Sequence, residues 1–317
     1  MKHHTREVAI AITNVLLLLL LAATTHGFFT VANLADLFLA NMPVMIIALG
    51  MTLIIVTAQI DISVGSIFAL CSIVAGLTAR SGAPSIVFLL VAILAGAACG
   101  AINGALTAYV RIPSIVVTLA TMVALRDGLR WGTQGAWVGN LPPNFLRFGI
   151  AQSTYTALVL ALTVGLTLAL AWALRNLRAG RAVFATGSNA AAAKQLGINT
   201  NRVVLAVFTI TGALTGLAAT LNAVRFNQIP SNSGIGMEMK VIAAVAVGGA
   251  AITGGSATIT GTVLGVILLG TIGPALTFLG VSAYWEKALQ GAIILVAVSA
   301  NVLGTYRSRR AGVAHAQ

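Results

Sequence analysis

The sequence predicts an all-α, polytopic membrane protein of about ten transmembrane helices, with both termini cytoplasmic. Three observations predict it. The 317 residues are 58% hydrophobic and only 8% charged, whereas a soluble domain carries about 25% charged residues; so little charge cannot coat a globule. Apolar runs of membrane length recur along the chain, separated by short polar or Gly/Pro-containing breaks. The basic residues are scattered between those runs, so the net charge of +12 reads as membrane orientation and not as nucleic-acid binding.

A transmembrane helix needs roughly 20 mostly apolar residues. By that measure spans fall at 8–25, 38–57, 62–79, 84–109, 113–130, 153–174, 203–223, 239–252, 258–279 and 284–303. Lys2 and Arg6 precede the first run, as in a signal peptide, but further spans follow and the run reads as a retained helix. The third and fourth are separated by Ala-Arg-Ser-Gly-Ala-Pro, a turn sequence. The eighth is short, which suits a re-entrant or paired segment. With the N-terminus inside, the two densest basic clusters, Arg175 to Arg202 and Arg307 to Arg310, both fall inside. Residues 1–317 thus form one transmembrane domain, with a cytoplasmic loop at 175–202 and a cytoplasmic tail at 304–317. Gly96, Gly100 and Gly104, and again Gly261 and Gly265, repeat every four residues; small residues at that spacing allow close helix contact, within one subunit or between copies. Cys71 and Cys99 sit in apolar runs and read as small buried hydrophobes.

Gln59-Ile60-Asp61-Ile62-Ser63-Val64-Gly65-Ser66 interrupts two long apolar runs. A carboxylate there is costly and marks a pathway or a partner. Asp61 has three readings: a ligand for substrate hydroxyls, a cap or hinge where Asp61, Ser63 and Gly65 start the third span, or a partner for a basic residue of another span. Asn103, in the middle of the fourth span, suits an interhelical hydrogen bond or a solute contact. Arg126 and Arg130 close the fifth span at the expected outer face, with Asp127 beside them; Glu238 and Lys240 precede the eighth. These four read either as interfacial anchors or as docking points for a binding protein. Trp131 and Trp137 fit an interfacial aromatic belt.

The loop at 175–202 carries its own helix signal. Ser188 or Asn189 can cap, Ala190, Ala191 and their neighbours through Lys194, Gln195 and Leu196 favour helix, and Gly197 fits the stop. A two-turn helix is marginal alone, so it either docks on something or is an ordinary ordered loop. No GxxxxGK[ST], HExxH or nucleophile-elbow motif occurs, and His3, His4, His26 and His315 lie near the ends. The chain therefore reads as neither an ATPase nor an intramembrane enzyme, with no cofactor or metal of its own.

Several ordered motifs together resemble the permease subunits of ribose-type (simple sugar) ABC importers. They are the 59–66 segment, Ala-Ile-Asn-Gly-Ala-Leu at 101–106, Arg-Ile-Pro-Ser-Ile-Val-Val-Thr-Leu-Ala-Thr at 111–121, the run at 185–198, and Ala-Val-Gly-Gly-Ala-Ala-Ile-Thr-Gly-Gly-Ser at 246–256. The segments 131–142 and 229–240 are most similar to those of autoinducer-2 import permeases. One departure stands out: many relatives have Gly-Gly where this chain has Ala58-Gln59. The resemblance implies that Gly187 to Ile198 is a coupling helix seated on a separate ABC ATPase, which would carry ATP and magnesium. It further implies a second permease copy or a paralogue, a periplasmic solute-binding protein and a bacterial inner-membrane location. The implied activity is alternating-access import of a sugar or sugar-like solute. The competing reading is a stand-alone channel or secondary transporter, which usually shows several intramembrane carboxylates.

Overall fold

The computed structural model describes residues 2–282, 284–293 and 295, with side chains from residue 7 onward. In order, the helices are α1 (Lys2–Thr24), α2 (Val31–Val56), α3 (Val64–Arg80), α4 (Ser85–Ala108), α5 (Ser114–Thr133), α6 (Gln152–Asn176), α7 (Arg178–Ser188), α8 (Ala190–Gln195), α9 (Thr200–Ala223), α10 (Met237–Val247) and α11 (Ile259–Phe278). A 3-10 turn at Leu146–Gly149 precedes α6, and residues 285–293 are also helical. The only strand-like pairing among the described residues is an isolated antiparallel bridge between Val138 and Ile229.

Six of these helices (α1, α2, α4, α6, α9 and α11) are long and apolar enough to cross a membrane. The other four expected spans differ in kind. The third is α3, apolar but only 17 residues long. The fifth is α5, whose 20 residues include Arg126, Asp127 and Arg130. The eighth is α10, with 11 residues. Of the tenth, 284–303, residues 284–293 and 295 are described; the rest of it and the whole 304–317 tail lie outside the described residues.

Helix α2 forms the centre, buried along most of its length, and packs on α9, α10 and α11. Helices α1 and α6 lie outside with their Leu- and Val-rich faces exposed, as lipid-facing helices do. The most extensive contact joins α4 to α9. Its cause is the glycine repeat: a methyl group on Gly96 would overlap the Gly212 carbonyl, one on Gly100 the Phe208 carbonyl, and one on Gly216 the Ala92 carbonyl. The backbones therefore touch directly, as small-residue faces allow. Gly261 and Gly265 do the same against Gly248 and Ala244, joining α11 to α10. Both repeats are thus used within one chain.

One end of the bundle collects the end of α2, the end of α7, helix α8 and the glycine turn 253–255. The opposite end collects 134–150 and 224–231, joined by Arg147 N–H to the Val224 carbonyl and by the Val138–Ile229 bridge.

Candidate functional site

Two breaks in the helical run meet inside the bundle. The first is 57–63, between α2 and α3. The second is 224–236, leading into α10. They meet at Gly65, where a methyl group would overlap the carboxylate of Glu238 and crowd the carbonyl of Gly234. Depth follows from helical rise. Helix α10 spans about 16 Å at 1.5 Å per residue, roughly half of a 30 Å hydrocarbon core, and its far end leads into the glycine turn at the α2 end. Gly65 and Glu238 therefore lie near mid-depth. Discontinuous helices at that depth are where transporters place their solute paths.

An extended segment in an apolar interior needs partners for its backbone. The 60–63 segment finds them on α5. Ile60 N–H donates to Ser114 Oγ and Ile62 N–H to Thr118 Oγ1, each at 3.2 Å. Ser66 Oγ donates to the Met122 carbonyl at 2.9 Å. Ser114, Thr118 and Thr121 share one face of α5 at helical spacing, a ladder that sequence reading passed over although the Arg-Ile-Pro-Ser motif contains it.

Asp61 is 1% exposed. Its Oδ1 accepts from Ser63 N–H at 2.8 Å and from Ser63 Oγ at 2.6 Å. Asn103 Nδ2 donates to Ser63 Oγ at 2.9 Å, and Thr121 Oγ1 donates to Asn103 Oδ1 at 2.6 Å. One hydrogen-bonded chain thus ties the break to α4 and α5. This corrects the capping expectation. Asp61 closes a turn two residues ahead, as Asx side chains do; the Ser63 carbonyl accepts from Ser66 and Ile67 N–H, but neither the Asp61 nor the Ser63 side chain caps α3. No cation pairs with Asp61 among the described residues.

Glu238 requires a second correction. It was expected at the surface, but it is 6% exposed and faces Arg126 of α5 at 3.6 Å, with its Oε1 accepting from Gly236 N–H. Gly234 and Gly236, both at positive φ, turn the chain inward just before it. Arg130 and Lys240 are outward-facing, paired with Asp127 at 3.9 Å and Glu286 at 2.7 Å.

At the other end, α8 follows its sequence closely. Asn189, not Ser188, caps it, its Oδ1 accepting from Ala192 N–H at 3.0 Å. Gly197 ends it at φ +80. Ser188, Ala190, Ala191, Lys194 and Gln195 are exposed, and Leu196 is 81% exposed. Helix α7, which the sequence did not announce, leads directly into it. Gly187, at the end of α7, sits so close to the Val56 carbonyl that a methyl group would overlap it. That same carbonyl accepts from Gly255 N–H at 2.8 Å. Ala58, two residues further on, is in the left-handed region at φ 59, where the Gly-Gly of related chains would be unstrained. So the end of α7, which leads into α8, meets the end of α2 through backbone, one residue before the segment that carries Asp61.

A family model described as "Branched-chain amino acid transport system / permease component" matches residues 33–298. The chain belongs to this permease family. It is 33% identical over 290 residues to the "Autoinducer 2 import system permease protein LsrC" of Photorhabdus laumondii, covering 92% of this chain and 87% of that one. The protein of the same name from Yersinia pseudotuberculosis serotype O:3 is 34% identical, covering 87% of this chain and 79% of that one. The one from Salmonella typhi is 34% identical, covering 92% of this chain and 84% of that one. No solved structure matches. The permease is thus a multi-pass membrane protein, the transmembrane subunit of an ABC importer.

Proposed function

We propose that this permease imports autoinducer-2 or a closely similar polyhydroxylated solute into the cytoplasm from the bacterial inner membrane. Its termini and α8 face the cytoplasm, and about ten spans cross the bilayer. A separate ATPase binds ATP and magnesium and seats on α8. A solute-binding protein delivers cargo at the opposite end, with Arg130 and Lys240 as its docking points, and a second permease copy or a paralogue completes the path.

The observation that carries the reading is the backbone contact of Gly187 with Val56. It joins the end of α7, which leads into the exposed, capped α8, to the end of α2 just before the break at 57–63, and so supports a coupling role for α8. A push on α8 moves the α2 end, and the 60–63 segment shifts along the α5 hydroxyl ladder. The solute preference rests on the names of the near-full-length relatives and on an interior richer in hydroxyls and amides than in charge. The family description names branched-chain amino acids, whereas these near-full-length relatives are named for autoinducer-2.

The test is reconstitution in vesicles. Uptake of autoinducer-2 should require the ATPase, the binding protein and ATP together. Uptake by the chain alone would establish the channel or secondary-transporter reading instead.

A further inference from the structure

A cavity of about 370 Å³ lies between α8, the start of α9, the α4–α5 corner and residues 57–59. Its charge is one-sided. Arg111 and Lys194 line it, and neither forms an ion pair among the described residues. The whole chain has six acidic residues, and none of them lines this cavity. Both cations are exposed, so an anion entering the cavity meets positive charge with no competing carboxylate of this chain.

Thr186 and Thr107 also line the cavity, but their hydroxyl oxygens are buried behind its wall. Gln59 and Asn201 add amide donors. Arg111 is held at φ 66, a left-handed backbone that arginine rarely adopts.

We infer that this cavity is a binding site for a phosphate group. Arg111 supplies planar donors, Lys194 a compact charge, and the Gln59 and Asn201 amides the remaining hydrogen bonds. The volume exceeds a bare phosphate and accommodates an ester substituent. The site bridges α8 and the segment leading to Asp61, so an occupant holds the two together and restrains their relative movement. Two sources supply the same chemistry: a soluble phosphate ester of the cytoplasm, or the headgroup of an anionic lipid at the bilayer rim.

The purified full chain in nanodiscs of zwitterionic lipid, titrated with inorganic phosphate and followed by calorimetry, tests this without ATPase or uptake, so it stands or falls independently of the importer reading. Saturable binding is expected, weakened on the order of tenfold by Arg111→Gln or Lys194→Gln. Phosphate binding in zwitterionic nanodiscs that disappears in phosphatidylglycerol nanodiscs would assign the site to a lipid headgroup; binding retained in both would assign it to a soluble ester. Absence of saturable binding up to about 10 mM, or undiminished binding in the Arg111→Gln/Lys194→Gln double variant, overturns the inference.

Discussion

The α4–α9 seam and the α2–α3 break lie side by side in one bundle and are held by opposite means. The seam is backbone against backbone, with Gly96, Gly100, Gly212 and Gly216 removing every side chain that would separate the helices. The break is held by hydrogen bonds, from Asp61 through Ser63 and Asn103 to Thr121, and from Ile60 and Ile62 to Ser114 and Thr118. Close packing has one good arrangement, because interiors tolerate little change in volume. A ladder of hydroxyls offers successive, nearly equivalent partners along α5. In the proposed mechanism the seam is the fixed part and the break the part that re-registers.

The strongest way to test that division is to widen the seam. Gly100→Leu drives a side chain into the Phe208 backbone and should cost about 3 kcal/mol or more, seen as a sharp loss of monodisperse protein after detergent extraction. Near-normal yield would mean that the seam yields easily.

A smaller effect is expected in the break. Asp61→Ala leaves the Ser63 N–H and hydroxyl without their acceptor and should cost about 1–3 kcal/mol, with uptake falling on the order of tenfold. Asp61→Asn keeps an acceptor oxygen at the same place and should retain both stability and most uptake. If Asn proves as damaging as Ala, the charge itself acts in transport.

Asn189→Ala removes the cap of α8 and should cost about 1 kcal/mol locally. The readout is weaker retention of the ATPase on the immobilised permease, with helix packing elsewhere unchanged. The smallest effect belongs to Ala58→Gly. Relief of a left-handed alanine is partly offset by glycine's flexibility, so thermal stability should rise by only about 0.5 kcal/mol. A fall would show that the Ala58 methyl group is needed against Gly254.

The seam and the break were unequally legible. Gly96, Gly100 and Gly104 announce close contact by spacing alone, because a helix repeats every turn; only the partner helix had to come from the structure. Asn189, the alanine run and Gly197 announced α8 for the same local reason. Helix α7 was missed because Arg178 and Arg181 give its sequence the polarity of a loop. In the break, Asp61 was visible as a misplaced charge, but its role was not, since Asn103 and Thr121 lie far along the chain. Glu238 was misplaced altogether. Beside Lys240 it has the pattern of a surface pair, and nothing local reveals that the turn at Gly234 and Gly236 carries it to the Arg126 side chain. Of the expected spans, the long apolar ones were read directly, while α3, α5 and α10 depend on neighbours for their burial.

The meeting of Gly187, Val56 and Gly255 has a mechanical corollary. A side chain interposed in a joint acts as a spring, absorbing displacement through rotamer change. Here the Val56 carbonyl meets peptide N–H on one side and a bare α-carbon on the other, so the joint has almost no compliance. If α8 couples as proposed, a displacement passed through α7 reaches the α2 end by backbone contact, and bulk added at Gly187 would act as lost motion before it acted as instability.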